Sequence, residues 1–368
     1  MKILCDRTAL CEALSPILPA IPTKEPPKPA CKNLHMEAEG ERLILEGTNL
    51  ELAITSQIDS VKVESPGEVL VPARPFYSLL TEINDPTLEL VLEDGNLLVP
   101  TGSGEYRIVV SDADFPEITF ESEAKGIEIP VEILNRLFQS TEYACAKEAS
   151  RYAMNGVLLR IREGKLTFVG TDGRRLAMAS ESLPEVPETL GAEALLPHTC
   201  LGSALRSITS LGGESATLFF GESYVCFSSG RTKVSVQMIR GTFPDFDSVI
   251  PQDMSNKVEI QKSLLESALR RVSVFCEDMD PAVRIEFDGT RAVFSSESSE
   301  VGSGNASVDV ELSGGGGKIV FNPRFILDAV KTCHQDQVHF EFEDGNSPGK
   351  FLLGEQYVYV LMPITGKT

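Results

Sequence analysis

The sequence predicts an α+β fold repeated three times in series, each copy being two helices packed on antiparallel sheet. Two observations carry this. Residues 67–83 (GEVLVPARPFYSLLTEI), 191–208 (GAEALLPHTCLGSALRSI) and 317–333 (GKIVFNPRFILDAVKTC) share one plan: an apolar run, a polar break, then apolar residues at helical spacing. Pro72, Pro197 and Asn322 stand at the breaks, and 197 − 72 and 322 − 197 both equal 125. That period is too long for a solenoid or propeller repeat and matches a small domain. Other segments hold the same register. Residues 40–53 (GERLILEGTNLELA) return as 164–177 (GKLTFVGTDGRRLA) and, much altered, as 289–301 (GTRAVFSSESSEV). DFPEI ends the stretch 87–118 and TFPDF ends 215–246, while LEDGN at 92–96 recurs as FEDGN at 342–346. Chance similarity among alternating β segments is the competing reading, and several matches in one order and one register speak against it.

The elements follow in order. A strand at 2–5 precedes a helix at 6–18 with Leu10, Leu14, Ile17 and Leu18 on one face. Pro16 is expected to bend that helix or end it early. The matching helix of the second copy is expected at 130–146, with Pro130 at its first position and Leu134, Leu137, Phe138 and Thr141 as its stripe. The third is expected at 262–276, carrying Leu264, Leu265, Ala268, Leu269 and Val272. Strands are expected at 43–45, 88–92, 106–110, 157–161, 216–220, 224–228, 233–238, 283–287, 338–342 and 357–362, with DG, EG and GE pairs as hairpin turns. The polar stretches 121–126 (ESEAKG) and 251–257 (PQDMSNK) read as linkers. Domains are therefore expected at 1–124, 125–253 and 254–368. The glycines at 302–304 and 314–317 read as flexible loops.

Composition sets limits. Of the 368 residues 42% are apolar and 24% charged, ordinary for a soluble globular chain. The net charge of −21 argues, taken alone, against nucleic-acid binding, which needs local positive potential. A net charge is an average, and one face can still be neutral or basic. No apolar stretch reaches the ~18–20 residues of a membrane span, so no membrane partner is expected. Asp6, Arg7 and Glu12 interrupt the N-terminal apolar run, which does not read as a signal peptide. Cysteines at 5, 11, 31, 145, 200, 226, 276 and 333 form no CxxC and mostly sit in apolar context, as expected in a reducing cytosol without disulfides.

Catalytic signatures fail one by one. SGGGGK at 313–318 has Leu312 at the first glycine position of a phosphate loop and Ile319 in place of the Mg²⁺-holding Ser or Thr. GSGEYR at 102–107 lacks the third glycine of a dinucleotide fingerprint. The four histidines are scattered, and no metal set emerges. Asp172 reads as a residue fixing a turn through its backbone. No enzyme, cofactor or metal is expected.

TDGRRLA (171–177), GTFPDF (241–246), FNPRFILDAV (321–330), YVYVLMPI (357–364), RYAMNG (151–156) and VPARPF (71–76) together resemble the bacterial DNA polymerase III beta-subunit family, the sliding clamps. The resemblance spans the chain in order. It implies a non-enzymatic, head-to-tail dimeric ring of clamp domains, cytoplasmic and nucleoid-associated, with helices around the hole and sheet outside. It implies double-stranded DNA as a topological, sequence-independent partner. Polymerase subunits and the clamp loader would dock through short Leu/Phe-containing peptides. A size estimate agrees. Domains of this length are roughly 35 Å across, three in a ring leave a hole of only ~5 Å, and six leave ~35 Å, enough for a ~20 Å duplex.

The resemblance carries the peptide pocket to Met154, Thr171, Gly173, Arg174, Arg175, Leu176, Pro244, Val249, Val360, Met362 and Pro363, between the second and third domains. Arg175 is expected to anchor a peptide oxygen or carboxylate. DNA-facing cations are expected at Lys24, Arg74, Lys147, Arg151, Arg206, Arg270 and Lys331. The dimer interface is expected at Ser103, Glu105, Tyr106 and Arg107 against Phe275, Glu297 and Glu300 of the other copy. Departures from the family pattern are Thr365 where Arg is common, Ser103 and Glu105 where arginines are frequent, and His198 and Thr199 where basic residues are frequent. The competing function is a triplicated peptide-binding scaffold that does not encircle DNA.

Overall fold

The computed structural model describes the chain except residues 119, 121–125, 149–152, 185, 187–190, 278, 280, 367 and 368. Most of the first expected linker, and Arg151, lie outside the described residues. One order of elements runs three times: strand, helix, three strands, a further strand, a second helix and three closing strands, with a short extra strand in the first and third runs. The helices are α1 (Arg7–Leu14), α2 (Ala73–Glu82), α3 (Val131–Thr141), α4 (His198–Ser210), α5 (Lys262–Val272) and α6 (Pro323–Thr332).

Local chemistry sets the helix ends. Asp6 caps α1 by accepting a hydrogen bond from Ala9 N at 2.8 Å, and Asn322 caps α6 by accepting from Arg324 N at 3.0 Å. As Pro16 required, α1 stops at Leu14 and continues as a 3₁₀ turn, Ser15–Ala20, which also holds Pro19. Helices α3 and α5 likewise tighten into 3₁₀ turns, at Glu142–Ala144 and Ser273–Phe275. Pro130 is corrected: it ends the strand Ile127–Pro130, and α3 starts one residue later. The loop expected at 302–304 is also corrected. Gly302–Asp309 is a strand, because Ser298 and Gly302 close a hairpin and Gly304 is packed under the Phe275 ring, which leaves no room for a Cβ.

Two compact units divide the chain, Met1–Asn135 with Leu196–Met238, and Arg136–Leu195 with Ile239–Thr368. The strands pair antiparallel, as Lys2–Asp6 does with Thr87–Glu93. In the first unit a five-stranded sheet runs Lys62–Ser65, Lys2–Asp6, Thr87–Glu93, Asn96–Thr101, Gly104–Val109. Its eight-stranded sheet runs Ile127–Pro130, Ser215–Phe220, Tyr224–Ser229, Thr232–Gln237, Leu52–Asp59, Arg42–Thr48, Asn33–Glu39, Gly67–Pro72. The second unit is built on a nine-stranded sheet in the order Ala192–Pro197, Gly156–Arg162, Lys165–Thr171, Arg175–Ser182, Tyr357–Leu361, Gly349–Gly354, Gln337–Phe342, Asn256–Gln261, Glu311–Ser313. Its four-stranded sheet runs Gly302–Asp309, Arg291–Ser298, Val283–Asp288, Gly317–Phe321.

Both large sheets cross from one copy to the next. Leu52 pairs with Val236 in one, and Leu176 with Val360 in the other. The units therefore follow the sheets and split the middle copy. The helices bury their apolar faces on these sheets: Phe76 and Leu80 of α2, Leu265 and Leu269 of α5, Ile326 and Val330 of α6 are each 1% exposed or less. The eight cysteines are free thiols and six are buried. Burial pushes the Cys145 thiol up to about 12.

Candidate peptide-docking site

The site is built where the second copy's central strands meet the last strand of the chain. In the second unit Leu158, Val169, Leu176, Leu195, Phe246 and Val360 form one buried apolar cluster. Met178, Ile239, Phe243, Ile250 and Val358 pack on it and remain partly exposed. Two pairings assemble its floor, Leu158 with Val169 and Leu176 with Val360. The segment 241–250 lies on this cluster through Phe243, Phe246 and Ile250. Arg160 fixes it by donating two hydrogen bonds to Asp247, at 2.9 and 3.3 Å, with its guanidinium 4.5 Å from the Phe246 ring centroid. Arg160 thereby holds the Asp247 carboxyl below its usual range.

A tight turn forms the lip. The hydroxyl of Thr171 donates to the Arg175 carbonyl at 2.6 Å and accepts from Gly173 N at 3.1 Å. Asp172 Oδ1 accepts from Arg174 N and Arg175 N at 2.9 and 3.1 Å. This is the turn-fixing role expected of Asp172. Gly173 takes φ +84°, the left-handed region that glycine enters without a side-chain penalty, and Met154 lies 3.7 Å from where its Cβ would be. Met362 N donates to the Arg174 carbonyl at 2.9 Å, which ties the chain's last segment to the lip. Met362 and Val249 are about half exposed. Exposed apolar side chains beside a buried apolar cluster are what a short apolar segment would cover.

Arg175 is held by the protein itself. Its side chain is only 8% exposed, and its guanidinium donates to Asp172 Oδ2 at 3.0 Å and to Asp328 Oδ2, on α6, at 2.8 Å. It also lies 4.3 Å from the Phe325 ring centroid and 5.6 Å from that of Tyr143. Burial opposes its charge, but the hydrogen bond to Asp328 and the surrounding negative charge outweigh it, and its pKa is raised. The guanidinium is thus engaged by two carboxylates of the protein itself. Beneath it the hydroxyls of Tyr143, Tyr357 and Thr332 form a chain at 2.7 and 2.8 Å, and Tyr359 donates to the Phe325 carbonyl at 3.0 Å. Burial raises the Tyr357 phenol to about 12 and the Tyr143 phenol well above its ordinary value.

The other expected positions are dispersed. Of the cations, Lys24 and Lys147 are exposed outside the helices. Arg74, Arg206, Arg270 and Lys331 are exposed on α2, α4, α5 and α6. Arg74 donates to the Leu18 and Ile21 carbonyls at 3.3 and 2.9 Å, and Arg270 pairs with Glu266 at 2.6 Å. Ser103, Glu105, Tyr106 and Arg107 lie on or beside the edge strand Gly104–Val109, where Arg107 pairs with its own Glu105 at 2.8 Å. Phe275 packs on Gly304, and Glu297 and Glu300 are exposed on and after the strand Arg291–Ser298.

Sequence reasoning missed Leu158, Val169, Leu195 and Phe246. The signal was present: GVLLRIR and KLTFVGT are apolar on both faces, whereas strands with one solvated face alternate. Among the described residues no group of three or more His, Cys, Asp or Glu side chains could hold a metal ion.

Residues 1–119, 128–245 and 247–364 match the models of the N-terminal, central and C-terminal domains of the DNA polymerase III beta subunit. The beta sliding clamp of Chlamydia muridarum is 27% identical over 366 residues, 99% of each chain. That of Pseudomonas aeruginosa is 26% identical over 368 residues, 99% of this chain and 100% of that one. The crystal structure of the Pseudomonas aeruginosa polymerase III subunit beta superposes with a TM-score of 0.93 at 25% identity, over 99% of this chain and 100% of that one. The Caulobacter crescentus beta sliding clamp, with polyethylene glycol bound at a region ascribed to β-motif tethering, gives 0.90 at 27% identity over 99% and 98%. With all three domain models matched in order along a fold of three like copies, the chain belongs to the DNA polymerase III beta-subunit family, the bacterial sliding clamps.

Proposed function

We propose that two copies of this chain close head to tail around duplex DNA and tether polymerases to it, without catalysing a reaction. The observation that carries this reading is where the large exposed apolar side chains lie. Among the described residues seven of the ten fall in three places, with Leu50, Leu264 and Met279 lying elsewhere. Tyr106 and Val109 sit on the edge strand Gly104–Val109 of the first copy. Val274, Val293 and Val301 sit on or beside the edge hairpin that ends in Gly302–Asp309 of the third. Val249 and Met362 flank the docking cluster. Two different edges, each with exposed apolar residues, fit a heterologous contact that closes after two copies. The interface is carried by apolar contact and strand pairing, with Ser103, Glu105, Tyr106 and Arg107 facing Phe275, Glu297 and Glu300. The domains are taken as 1–124, 125–253 and 254–368.

DNA contact is weak and blind to sequence. Lys24, Arg74, Lys147, Arg151, Arg206, Arg270 and Lys331 face the duplex as phosphate contacts, which position without specifying. Polymerases and the loader dock at the cluster around Leu176 and Val360 through short Leu/Phe segments. Burying each anchor contributes about 1.5–3 kcal/mol, partly offset by ordering the segment. Exchangeable, micromolar binding follows. The decisive experiment loads the protein on nicked circular plasmid and then linearises the plasmid. A ring stays on the circle and slides off the linear form; loss from both at equal rates, or a persistent monomer in light scattering at micromolar concentration, refutes the ring.

A further inference from the structure

The chain carries its own control for the docking lip. The turn at 171–175 has a counterpart 123 residues earlier, at 48–52, and the hydrogen bonds repeat. Thr48 Oγ1 donates to the Leu52 carbonyl at 3.0 Å and accepts from Leu50 N at 2.9 Å. Asn49 Oδ1 accepts from Glu51 N and Leu52 N at 3.0 and 2.7 Å. Gln237 N donates to the Glu51 carbonyl at 2.8 Å, as Met362 N does to Arg174. Leu50, at φ +80°, stands where Gly173 has φ +84°. The backbone of the turn is thus closed by its Thr and Asx side chains alone.

What differs is the ionic clasp. Asp172 is matched by Asn49, Arg175 by Leu52, and, at the 125-residue spacing of the helices, Phe325 by Cys200 and Asp328 by Ser203. Both turns reach a helix, the first through the Cys200 thiol of α4 donating to Glu51 Oε2 at 3.6 Å, but only the turn beside the apolar cluster does so through an ionic Asp–Arg–Asp chain. That turn is also the one whose apex is a glycine, with no side chain to restrain it. We infer that Asp328 is a positioning residue for peptide docking: from α6 it holds Arg175, Arg175 holds Asp172, and the chain fixes the lip that carries Leu176 and anchors Met362. Preorganising a docking surface raises affinity because less order must be imposed on binding. Asp328 is about half exposed on α6 and is not a member of the apolar cluster.

This inference rests on the docking reading above, and the experiment separates the two. The probe is a short synthetic peptide with adjacent Leu and Phe, binding the full-length protein in calorimetry. Amide hydrogen exchange is followed at residues 171–176 and 362. Asp328→Ala is expected to weaken binding about tenfold and to speed exchange at the lip, with dimer mass and melting temperature close to the parent's. Asp328→Glu, which restores a carboxylate, is expected to recover most of both. Ser203→Ala, at the matching position of α4, should bind as the parent does. If Asp328→Ala binds like the parent while Met362→Ser weakens binding, the clasp is not a positioning device and the docking site stands. A weakened Asp328→Ala that Asp328→Glu does not rescue also overturns the clasp. Failure of the parent itself to bind overturns the docking reading and this inference with it.

Discussion

Arg175→Leu puts at the second junction the residue that Leu52 supplies at the first. It strands two carboxylates. Asp172 is 17% exposed and loses its only charged partner within reach among the described residues, while Asp328, 48% exposed, is largely re-solvated. Breaking a buried pair by removing one partner costs about 3–5 kcal/mol, whereas an exposed pair contributes about 0–1 kcal/mol. Loss of the guanidinium over Phe325 and Tyr143 removes roughly 0.5–2 kcal/mol more. The new Leu returns a similar amount by apolar contact with the same rings. The expected net is about 3 kcal/mol, a fall in melting temperature of about 6–12 °C for a unit of this size. Asp172→Asn and Asp328→Ser added to Arg175→Leu rebuild the polar pattern of the first junction, in which Asn49 keeps both turn hydrogen bonds. That triple variant is expected within about 1 kcal/mol of the parent, because apolar replacement of a whole buried ion cluster is often neutral. Calorimetric melting and urea unfolding of the three proteins decide it. A triple variant as unstable as the single, or a single within about 0.5 kcal/mol of the parent, the range of an ordinary surface change, would refute the claim that stranded charge sets the cost.

Two further outcomes test the fold. Gly170→Ala places a Cβ well inside contact with the Thr141 carbonyl oxygen and 3.0 Å from Cys145 Sγ, so urea unfolding should show a loss of about 2–3 kcal/mol; Gly47→Ala, its counterpart, meets only the side-chain ends of Ile17 and Ile21, at 2.5 and 2.7 Å, and should cost less. His35 lies 3.0 Å from Glu46 Oε2 and 3.4 Å from Glu68 Oε2, stacked on Phe115, and the hydrogen bond to Glu46 raises its pKa despite burial. A raised histidine pKa stabilises below the unfolded value near 6.5 and ceases to do so as pH rises through the folded value. Unfolding free energy should therefore fall by up to about 1 kcal/mol between pH 6 and 9, and His35→Gln should flatten that slope.

Much of the fold was legible because a repeat supplies its own alignment. The 125-residue spacing placed Pro72, Pro197 and Asn322 immediately before three helices that exist. Every expected strand is present, with ends shifted by at most three residues. Central strands such as Lys165–Thr171 are harder to read: buried on both faces, they lack the alternation that marks a half-solvated strand. At the site, the lip residues Thr171, Asp172 and Gly173 were readable from turn chemistry, since each acts within a few residues of itself. The clasp on Arg175 was not legible because its partner Asp328 is 153 positions away, and no local pattern reveals a contact that only the sheet and α6 bring together. The same holds for Leu158, Leu195 and Phe246, which meet only across strands.

The two seams between successive copies have a consequence for how such a chain can be divided. Leu52–Asp59 pairs through residues 52–56 with 232–236, and Arg175–Ser182 through residues 175–179 with Tyr357–Leu361. Heredity multiplied one module, but cohesion runs through strands lent by one module to the next. A fragment cut at residue 246 would bare the edge of Arg175–Ser182, whose first three residues are buried in the intact chain, and offer it to any other chain with a free strand. Excising one copy would thus yield a sticky partial sheet instead of a small soluble domain. Substitutions in the closing strand of one copy are answerable first to the middle strands of the copy before it, so the repeats are free to diverge only in pairs.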